Sequence, residues 1–374
     1  MRASKRNLRC FGWLPLIFLA AAAASAQPQW KGTVLKEGDA TVVKNPKEPL
    51  YKTPVLELKE DLSIGGPDAQ GDYAFDQVRQ VVVDDAGVIY VLDQQASLVK
   101  AFDASGKYLR TIGRKGQGPG ELEYPMTLSL NRTSGELAVQ LQSRGIVFFK
   151  TDGTFLRQLS LKSMLPARGR VDSRGNIYVL DIVMDEKGSH YATKKLGPDG
   201  SLLATISETP TPVGPGNTIR AFIPVAYFQI DRDDRFIYGF PETYEIRFYG
   251  PTEAKAFRKI ARDYAPLAVT EEDKAQLKKD VPPGFNREFV FPDHHPAYTR
   301  FFLSDLGHIF VQTYEKAEGE RFVNDIFDAE GRFIGRIPLK PSGIEILKDK
   351  YYALEEDADG YQYVKRYAVT WLVK

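Results

Sequence analysis

The sequence has very little cysteine and histidine, and this shortage excludes several kinds of site. Among 374 residues there are 1 cysteine and 4 histidines. Cys10 lies in a leader that we expect to be removed, so the mature chain has no disulfide, no cysteine-based metal site and no cysteine nucleophile. The sequences Gly-x-Ser-x-Gly and His-Glu-x-x-His are also absent. The sequence therefore gives no support for a serine hydrolase with the first motif or a zinc protease with the second.

Long apolar runs are missing apart from one near the start, residues 11–24. This run is too short to span a bilayer comfortably. It follows a basic head and precedes Ala24-Ser-Ala26, which fits the small-x-small rule for signal cleavage. The order predicts a signal peptide over residues 1–26 and an exported protein, periplasmic or extracellular, with no transmembrane span.

The sequence also has no large excess of positive or negative charge. The chain has 50 Lys+Arg and 49 Asp+Glu, a formal net charge of +1. Residues 1–26 hold four basic and no acidic residues, so their removal lowers the net charge to −3. With no basic run, neither nucleic acid nor a membrane surface is an expected partner. The remaining 348 residues can bury a large core without disulfides.

Glycine is plentiful, and it recurs in a pattern of turns and short strands. The clearest copy runs from Asp84-Asp-Ala-Gly87 into Ile89-Tyr-Val91. The same turn contains Gly135, Gly175 and Gly307 in later copies, whereas residues 231–235 and 347–350 occupy it without glycine. Repeats of about 40 to 50 residues with four short strands are typical of β-propellers. Six such repeats can be counted.

The sixth repeat ends before its fourth strand, and a suitable strand lies at the other end of the chain. Residues 55–65 have the missing pattern. We predict an all-β fold over residues 53–374: a six-bladed β-propeller of four-stranded antiparallel blades, with the N-terminal strand completing the last blade. Residues 27–52 show no clear pattern and are predicted to be a lead-in segment along the surface.

One stretch resembles a known repeat family. Gly113-Arg-Lys-Gly-Gln-Gly-Pro-Gly-Glu-Leu-Glu-Tyr-Pro125, between Ile-Tyr-Val-Leu-Asp and Phe-Asp-x-x-Gly segments, is similar to NHL repeats. The resemblance implies a six-bladed propeller; it is good over residues 75–125, moderate over 126–206 and 298–340, and poor elsewhere. The glycines also suggest a phosphate-binding loop, but no helix follows them. A structural link between blades is therefore the favoured interpretation.

The two ends of the ring differ in their loops. In a four-stranded antiparallel blade the first and third turns share one end, here called the short-turn rim. The second turns and the links between blades share the other end, the long-loop rim. Irregular segments assigned to this rim are residues 94–97, 182–189, 207–221, 313–320 and 355–360, and the insert 262–297. Within the insert, residues 270–280 predict a helix and an aromatic, proline-rich segment follows. Binding residues concentrate on such loops, so the long-loop rim is the predicted functional face.

Four arginines near the starts of inner strands are candidate ligand-binding residues: Arg79, Arg168, Arg170 and Arg300. A guanidinium group recognises carboxylate or phosphate in a planar, bidentate geometry. The alternative is a structural role in which these arginines pair with Asp93 or Asp181, which end neighbouring strands.

His294, His295 and Tyr298 complete the set of candidates. Adjacent histidines in an extended segment point to opposite faces, so both rarely bind one metal ion, and a role as a loop anchor is favoured. Residues 355–360 loosely resemble a calcium loop but lack the EF-hand spacing, which favours a solvated turn.

The predicted function is a binding or scaffold module that holds a protein, peptide or glycan on the long-loop rim. A first alternative is a metal-dependent hydrolase or lyase resembling gluconolactonase-like or amidating-lyase propellers, with zinc or calcium in the central channel. The absence of a convergent ligand set in corresponding strands counts against it. A second alternative is a small-anion receptor using Arg79, Arg168 and Arg300. No catalytic residue and no cofactor are predicted.

Overall fold

The computed structural model describes residues 29–142, 145–161, 168–186, 188–214, 217–253, 255–279, 281–282, 284, 286–341 and 343–373. The predicted signal peptide and Cys10 lie outside these ranges. Among the described residues no helix is both long and apolar enough to cross a bilayer.

The amino-terminal third contains the first three strands, the first blade and part of the second. The elements are β1 (Thr33–Glu37), β2 (Ala40–Asn45), β3 (Leu56–Gly65), a 3-10 turn (Gly71–Tyr73), β4 (Val78–Val83), β5 (Ile89–Asp93), β6 (Leu98–Phe102), β7 (Tyr108–Ile112), the short pair β8 (Arg114–Lys115) and β9 (Glu121–Leu122), β10 (Pro125–Asn131) and β11 (Glu136–Leu141). Strands β4 to β7 form blade 1 as an antiparallel sheet.

The middle of the chain completes blade 2 and adds blades 3 and 4. Its elements are β12 (Gly145–Lys150), β13 (Phe155–Leu159), β14 (Arg168–Val171), β15 (Ile177–Asp185), β16 (Gly188–Leu196), β17 (Leu202–Pro210), β18 (Thr218–Arg220), β19 (Tyr227–Ile230), β20 (Phe236–Gly239), β21 (Glu245–Tyr249) and β22 (Ala256–Arg262). Blade 2 is β10 to β13, blade 3 is β14 to β17, and blade 4 is built on β19 to β22.

The carboxy-terminal part contains the insert and the last two blades. It has helix α1 (Glu271–Lys279), β23 (Glu288–Val290), β24 (Arg300–Leu303), β25 (Ile309–Ala317), β26 (Arg321–Phe327), β27 (Phe333–Leu339), β28 (Gly343–Leu347), β29 (Lys350–Glu356) and β30 (Gln362–Trp371). Strands β24 to β27 form blade 5. Blade 6 has the order β28-β29-β30-β3.

The first strands of the six blades form a closed ring around a central channel. Each contacts the next in the order β4, β10, β14, β19, β24, β28 and back to β4. Side chains on these strands also accept hydrogen bonds from the backbone of the next blade. Gln80 accepts the N–H of Leu128 at 3.1 Å, and Ser129 accepts the N–H of Val171 at 3.2 Å. The predicted six-bladed propeller is confirmed.

The ring closes through the amino-terminal strand, as the sequence predicts. β3 pairs antiparallel with β30 from Leu56 opposite Trp371 to Gly65 opposite Tyr363. Leu56 and Ile64 are buried at opposite ends of the strand. Pairing between β3 and β30 therefore closes the ring within blade 6.

The first turns of blades 1, 3 and 4 are each stabilised by their own aspartate. In blade 1 the Asp84 carboxylate accepts the N–H groups of Ala86 and Val88, both at 2.9 Å. Gly87 has φ +84°, a conformation that glycine adopts easily. In the copies without glycine, Asp234 (φ +57°) and Asp349 (φ +53°) take the left-handed conformation. Aspartate tolerates it better than most residues, so the repeat survives the loss of glycine.

Residues 27–52, where the sequence shows no pattern, contain two strands. β2 extends blade 4 by pairing parallel with β22, and β1 pairs with β2 to make a six-stranded sheet. The buried Asn45 joins blades 4 and 5: it donates to the Gly331 carbonyl at 2.9 Å and accepts the Phe333 N–H at 2.7 Å. All of β1 is exposed, so it lacks the apolar alternation that would predict a strand.

Several loops predicted to be long and irregular are mostly strand. Within residues 182–189, β15 extends to Asp185 and β16 begins at Gly188, and β25 extends to Ala317. The outer parts of these strands are exposed, so apolar alternation does not mark them. The irregular backbone of the long-loop rim is instead concentrated in the link after β17 and in the insert.

Candidate functional site

The structure does not gather the three candidate arginines whose side chains it describes, Arg79, Arg170 and Arg300, at one mouth of the channel. Arg79 is exposed beside a bulge in β4. The Arg300 Nε donates to Gln312 Oε1 at 3.2 Å. Arg170 lies two residues before its turn and lines a cavity at the short-turn end of the channel. Arg168 lies on β14, and its side chain is outside the described residues.

Both strand-end aspartates have partners other than Arg79, Arg170 and Arg300 in the part of the chain that the structure describes. The Asp93 carboxylate accepts the backbone N–H groups of Asp76 at 2.8 Å and Gln77 at 3.0 Å. Asp181 forms an ion pair with Lys194 at 2.7 Å. These carboxylates hold a loop and a neighbouring strand.

Tyr298 is a packing residue, which corrects its prediction as a ligand-binding side chain. It is 0% exposed, and its hydroxyl donates to the Glu245 carbonyl at 2.9 Å. A Cβ atom at Gly239 would clash with that hydroxyl. Burial raises the pKa of Tyr298 far above its usual value. The ring is fixed between blades and offers no surface to a ligand.

His294 and His295 point to different surroundings. His294 is exposed, whereas His295 is buried. The His295 ring stacks on Tyr314 with centroids 4.4 Å apart, and its Nε2 lies 3.1 Å from Asp273 Oδ2. His295 therefore anchors the insert. Its Nδ1 is buried and has no hydrogen-bond partner in the described ranges.

Two other motifs have structural roles. In the glycine-rich link, the Gly118 N–H donates to Glu121 Oε2 at 2.8 Å, and Glu121 also pairs with Arg114. In the acidic turn, Asp357 Oδ1 accepts the N–H groups of Asp359 at 3.1 Å and Tyr361 at 2.9 Å. Within the described ranges, no group of three or more His, Cys, Asp or Glu side chains is placed to hold a metal ion.

The long-loop rim contains an apolar cavity of about 370 Å³, which we call the insert groove. Aromatic, aliphatic and proline side chains form most of its wall: Phe222, Ile223, Pro224, Pro241, Phe291, Pro292 and Pro296. Polar groups are few, with Arg220, Glu242 and the two histidines also lining it. The exposed Val290 extends the apolar surface.

The link after β17 and the insert build this groove together. β18 and β23 pair in parallel, with Thr218 opposite Glu288 and Arg220 opposite Val290. The Ala221 N–H then donates to the Val290 carbonyl at 2.9 Å. The sequence places both segments on this rim but gives no signal that they pair. The aromatic and proline content of the insert does point to the wall.

Phe222 enters the wall through a strained backbone. Its φ is +48°, a value that bulky residues rarely adopt and that costs on the order of 1–3 kcal/mol. The ring packs against Phe291 at 6.0 Å and against His295 at 4.7 Å. Such strain persists where surrounding contacts fix it, and it concentrates at binding sites.

Helix α1 lies beside Phe291 of the groove wall and buries no residue of its own. The Nζ atoms of Lys274 and Lys278 each lie 5.8 Å from the centre of the Phe291 ring. Asp273 anchors the helix: it accepts from Thr270 Oγ1 at 2.7 Å and pairs with Lys316 at 3.0 Å, besides its contact with His295.

We expect Asp273→Asn to loosen helix α1 while leaving the propeller folded. Burial acts to raise the pKa of Asp273, but hydrogen bonds from Thr270, Lys316 and His295 outweigh it and hold that pKa well below 3.8. A lowered folded pKa means that the carboxylate contributes stability above about pH 4, and that the contribution is lost as pH falls through the folded pKa. Hydrogen exchange at neutral pH should be about tenfold or more faster across α1.

The matched control is Glu272→Gln, because Glu272 is exposed and lies 3.6 Å from the same lysine. Exchange in α1 should change little in this variant. Equal exchange in Asp273→Asn and wild type would show that Asp273 does not anchor the helix.

Comparison with known proteins supports the architecture. A protein-family model, DUF5128, described as a 6-bladed β-propeller, matches residues 69–199. The chain is a six-bladed β-propeller. No curated protein sequence matches it significantly.

Two solved structures share this fold at low sequence identity. A Bacteroides fragilis protein described as exported superposes with a TM-score of 0.57 and 11% identity, covering 88% of this chain and 99% of that one. A member of the duf4221 family from Bacteroides vulgatus has a TM-score of 0.53 and 13% identity, covering 84% and 99%. At these identities the likeness concerns the fold alone.

Proposed function

We propose that this protein is an exported binding propeller that holds an extended, proline-containing peptide segment of a partner protein in the insert groove. The observation that carries the proposal is the groove wall itself, where Phe222 and Phe291 stand among four prolines. Aromatic-lined grooves dock polyproline-type segments because such segments are already extended and lose little entropy on binding.

The composition of the wall favours a peptide over a glycan. A glycan presents many hydroxyl groups, and each buried hydroxyl needs a hydrogen-bonding partner. The groove has few polar side chains to supply such partners. An apolar peptide has fewer polar side-chain groups, and its backbone can bond to the polar groups at the edge.

Export is part of the proposal. It is supported by the basic head, apolar run and Ala-Ser-Ala site of residues 1–26. The structural neighbour described as exported is consistent with it. The NHL-like character of the repeats also belongs to the proposal and is supported by the link at residues 113–125.

Peptide selection tests this function. A random peptide library displayed on phage, selected on the mature protein, should yield ligands enriched in proline beside aliphatic or aromatic residues. Replacing Phe291 by Ala should weaken binding of a selected peptide about tenfold or more, because aromatic anchors dominate such interfaces. Fluorescence polarisation with a labelled peptide measures the affinity.

Phe257→Ala is the matched control, because Phe257 is a partly exposed aromatic residue on β22 of blade 4. It should leave peptide affinity unchanged. Ligands without proline enrichment, or equal affinity for wild type and Phe291→Ala, would contradict the proposal. Tighter binding of soluble oligosaccharides than of any peptide would favour the glycan alternative.

A further inference from the structure

The ring encloses a second cavity, at the short-turn end of the central channel. Its volume is about 360 Å³, within the range of roughly 300–1,000 Å³ typical of small-molecule pockets. The first strands of all six blades and several first turns contribute to its wall. We call this cavity the channel chamber. It lies on different residues from the insert groove.

Charges of both signs line the channel chamber, with an excess of acid. The lining contains five carboxylates and three guanidinium groups: Asp85, Asp231, Asp234, Asp305 and Glu345, against Arg132, Arg170 and Arg232. The formal charge of the wall is therefore −2. Such a wall repels a multiply charged anion such as phosphate.

Arg170 differs from the other two arginines in its partners. Arg132 contacts Glu345 Oε2 at 2.9 Å, and Arg232 contacts Asp85 Oδ1 at 2.8 Å. Arg170 donates to Gln229 Oε1 at 2.9 Å and to the Gly169 carbonyl at 2.8 Å, which are neutral acceptors. Across the described ranges it makes no ion pair with a carboxylate. Its positive charge is available to a carboxylate from outside.

Glu345 stands on the opposite wall at the same height. Arg170 on β14 pairs with Tyr178, and Glu345 on β28 pairs with Tyr352. Each pair lies two positions from the pair that closes its first turn, which is Asp172 with Asn176 in blade 3 and Leu347 with Lys350 in blade 6. β14 and β28 belong to blades 3 and 6, which lie across the ring from each other. Glu345 also accepts the Val83 N–H at 3.3 Å, so its position is fixed. The guanidinium of Arg170 thus lies across the chamber from the Glu345 carboxylate, which also pairs with Arg132.

An ion pair spans the opening of the chamber at the short-turn rim. Arg232 belongs to blade 4 and Asp85 to blade 1, so their contact crosses the ring. Both side chains are partly exposed, at 38% and 58%, and pairs of this kind contribute only about 0–1 kcal/mol. The pair can therefore open to admit a small molecule.

We propose that the channel chamber binds a small zwitterion of the amino-acid class, with its carboxylate on Arg170 and its ammonium group toward Glu345. The unpaired guanidinium disfavours a simple cation, and the net acidic wall disfavours a simple anion. A ligand that carries one positive and one negative group can pair with Arg170 on one wall and with Glu345 on the other. This proposal does not depend on peptide binding at the insert groove.

Calorimetric titration of the mature protein with each standard amino acid tests the proposal. Acetate, methylammonium and inorganic phosphate serve as probes of the separate charges. At least one amino acid should bind saturably, and the affinity for each single-charge probe should be lower by about tenfold or more.

Arg170→Gln keeps a hydrogen-bonding group beside Gln229 and should weaken amino-acid binding by about tenfold or more. Arg79→Gln, at an exposed arginine outside the chamber, should not change it.

A second variant covers the case in which Arg170→Gln does not fold. Arg232→Gln removes the ion pair across the opening, and stopped-flow measurements should show faster association and dissociation of the amino acid. Absence of amino-acid binding to wild type, or tighter binding of phosphate than of any amino acid, would overturn the proposal. Unchanged affinity in folded Arg170→Gln would overturn it too, as would unchanged rates in Arg232→Gln.

Discussion

A chain that begins at Gly66, and so lacks β3, is expected to lose its cooperative unfolding transition. β3 is the fourth strand of blade 6 and carries Leu56 and Ile64, while Val55 directly precedes it; all three are at most 3% exposed. Burying each contributes about 1.5–3 kcal/mol, together about 5–9 kcal/mol, against a typical total stability of about 5–15 kcal/mol. Removal also exposes the edge of β30.

Two companion chains separate the effect of β3 from that of the residues before it. A chain that begins at Pro54 lacks β1 and β2 but keeps β3, and it should unfold cooperatively. A permuted chain that begins at Gly66 and carries residues 54–65 after Lys374, joined by a short linker, should regain the transition because β3 pairs antiparallel with β30. Urea unfolding followed by circular dichroism compares all three. Equal midpoints for the Gly66 and Pro54 chains would refute the structural role of β3.

Replacing Asp325 by Asn is expected to cost about 3–5 kcal/mol of unfolding free energy, because it leaves buried guanidinium charge without its partner. Asp325 is 0% exposed; its oxygens contact Arg262 at 2.6 Å and Arg336 at 2.9 Å. The Tyr244 hydroxyl donates to the same carboxylate at 2.5 Å. Burial raises the pKa of Asp325, and the two guanidinium groups act against this. The cluster joins blade 4 to blade 5 beneath the long-loop rim.

The control for this prediction is Glu60→Gln, which removes a surface ion pair with Lys365 at 2.9 Å. Exposed pairs contribute about 0–1 kcal/mol, so this variant should unfold near the wild-type midpoint. Urea unfolding at neutral pH measures both variants. A loss below 1 kcal/mol in Asp325→Asn would show that Arg262 and Arg336 do not depend on this carboxylate.

The architecture could be predicted because its signals are local. Asp84 and Gly87 mark a turn within a few residues, and Ile89-Tyr-Val91 marks the buried strand that follows. Ring closure could also be predicted from the sequence, because the last repeat lacks its fourth strand and residues 55–65 have the pattern of that strand. β1 and the outer parts of β15 gave no such signal, because exposed strands need no apolar alternation.

The candidate site was predicted less completely because its contacts are not local. The insert could be assigned to the long-loop rim, and its aromatic and proline content could be read directly. Nothing in the sequence shows that β18 pairs with β23, or that Phe222 packs against Phe291 in the groove wall. The sequence analysis assigned all four arginines to the same mouth of the channel. Arg170 lies two residues further along β14 than Arg168, and this shift places it toward the other end of the channel.

Site-specific photo-crosslinking tests the central claim, that the insert groove is the binding site. A benzophenone amino acid replaces either Val290, which is 49% exposed beside the groove, or Leu306, which is 55% exposed in a first turn on the short-turn rim. The probe is a proline-containing peptide selected on the wild-type protein. We expect crosslinking from position 290 and none from position 306. Crosslinking from position 306 alone, or equal crosslinking from both positions, would contradict it.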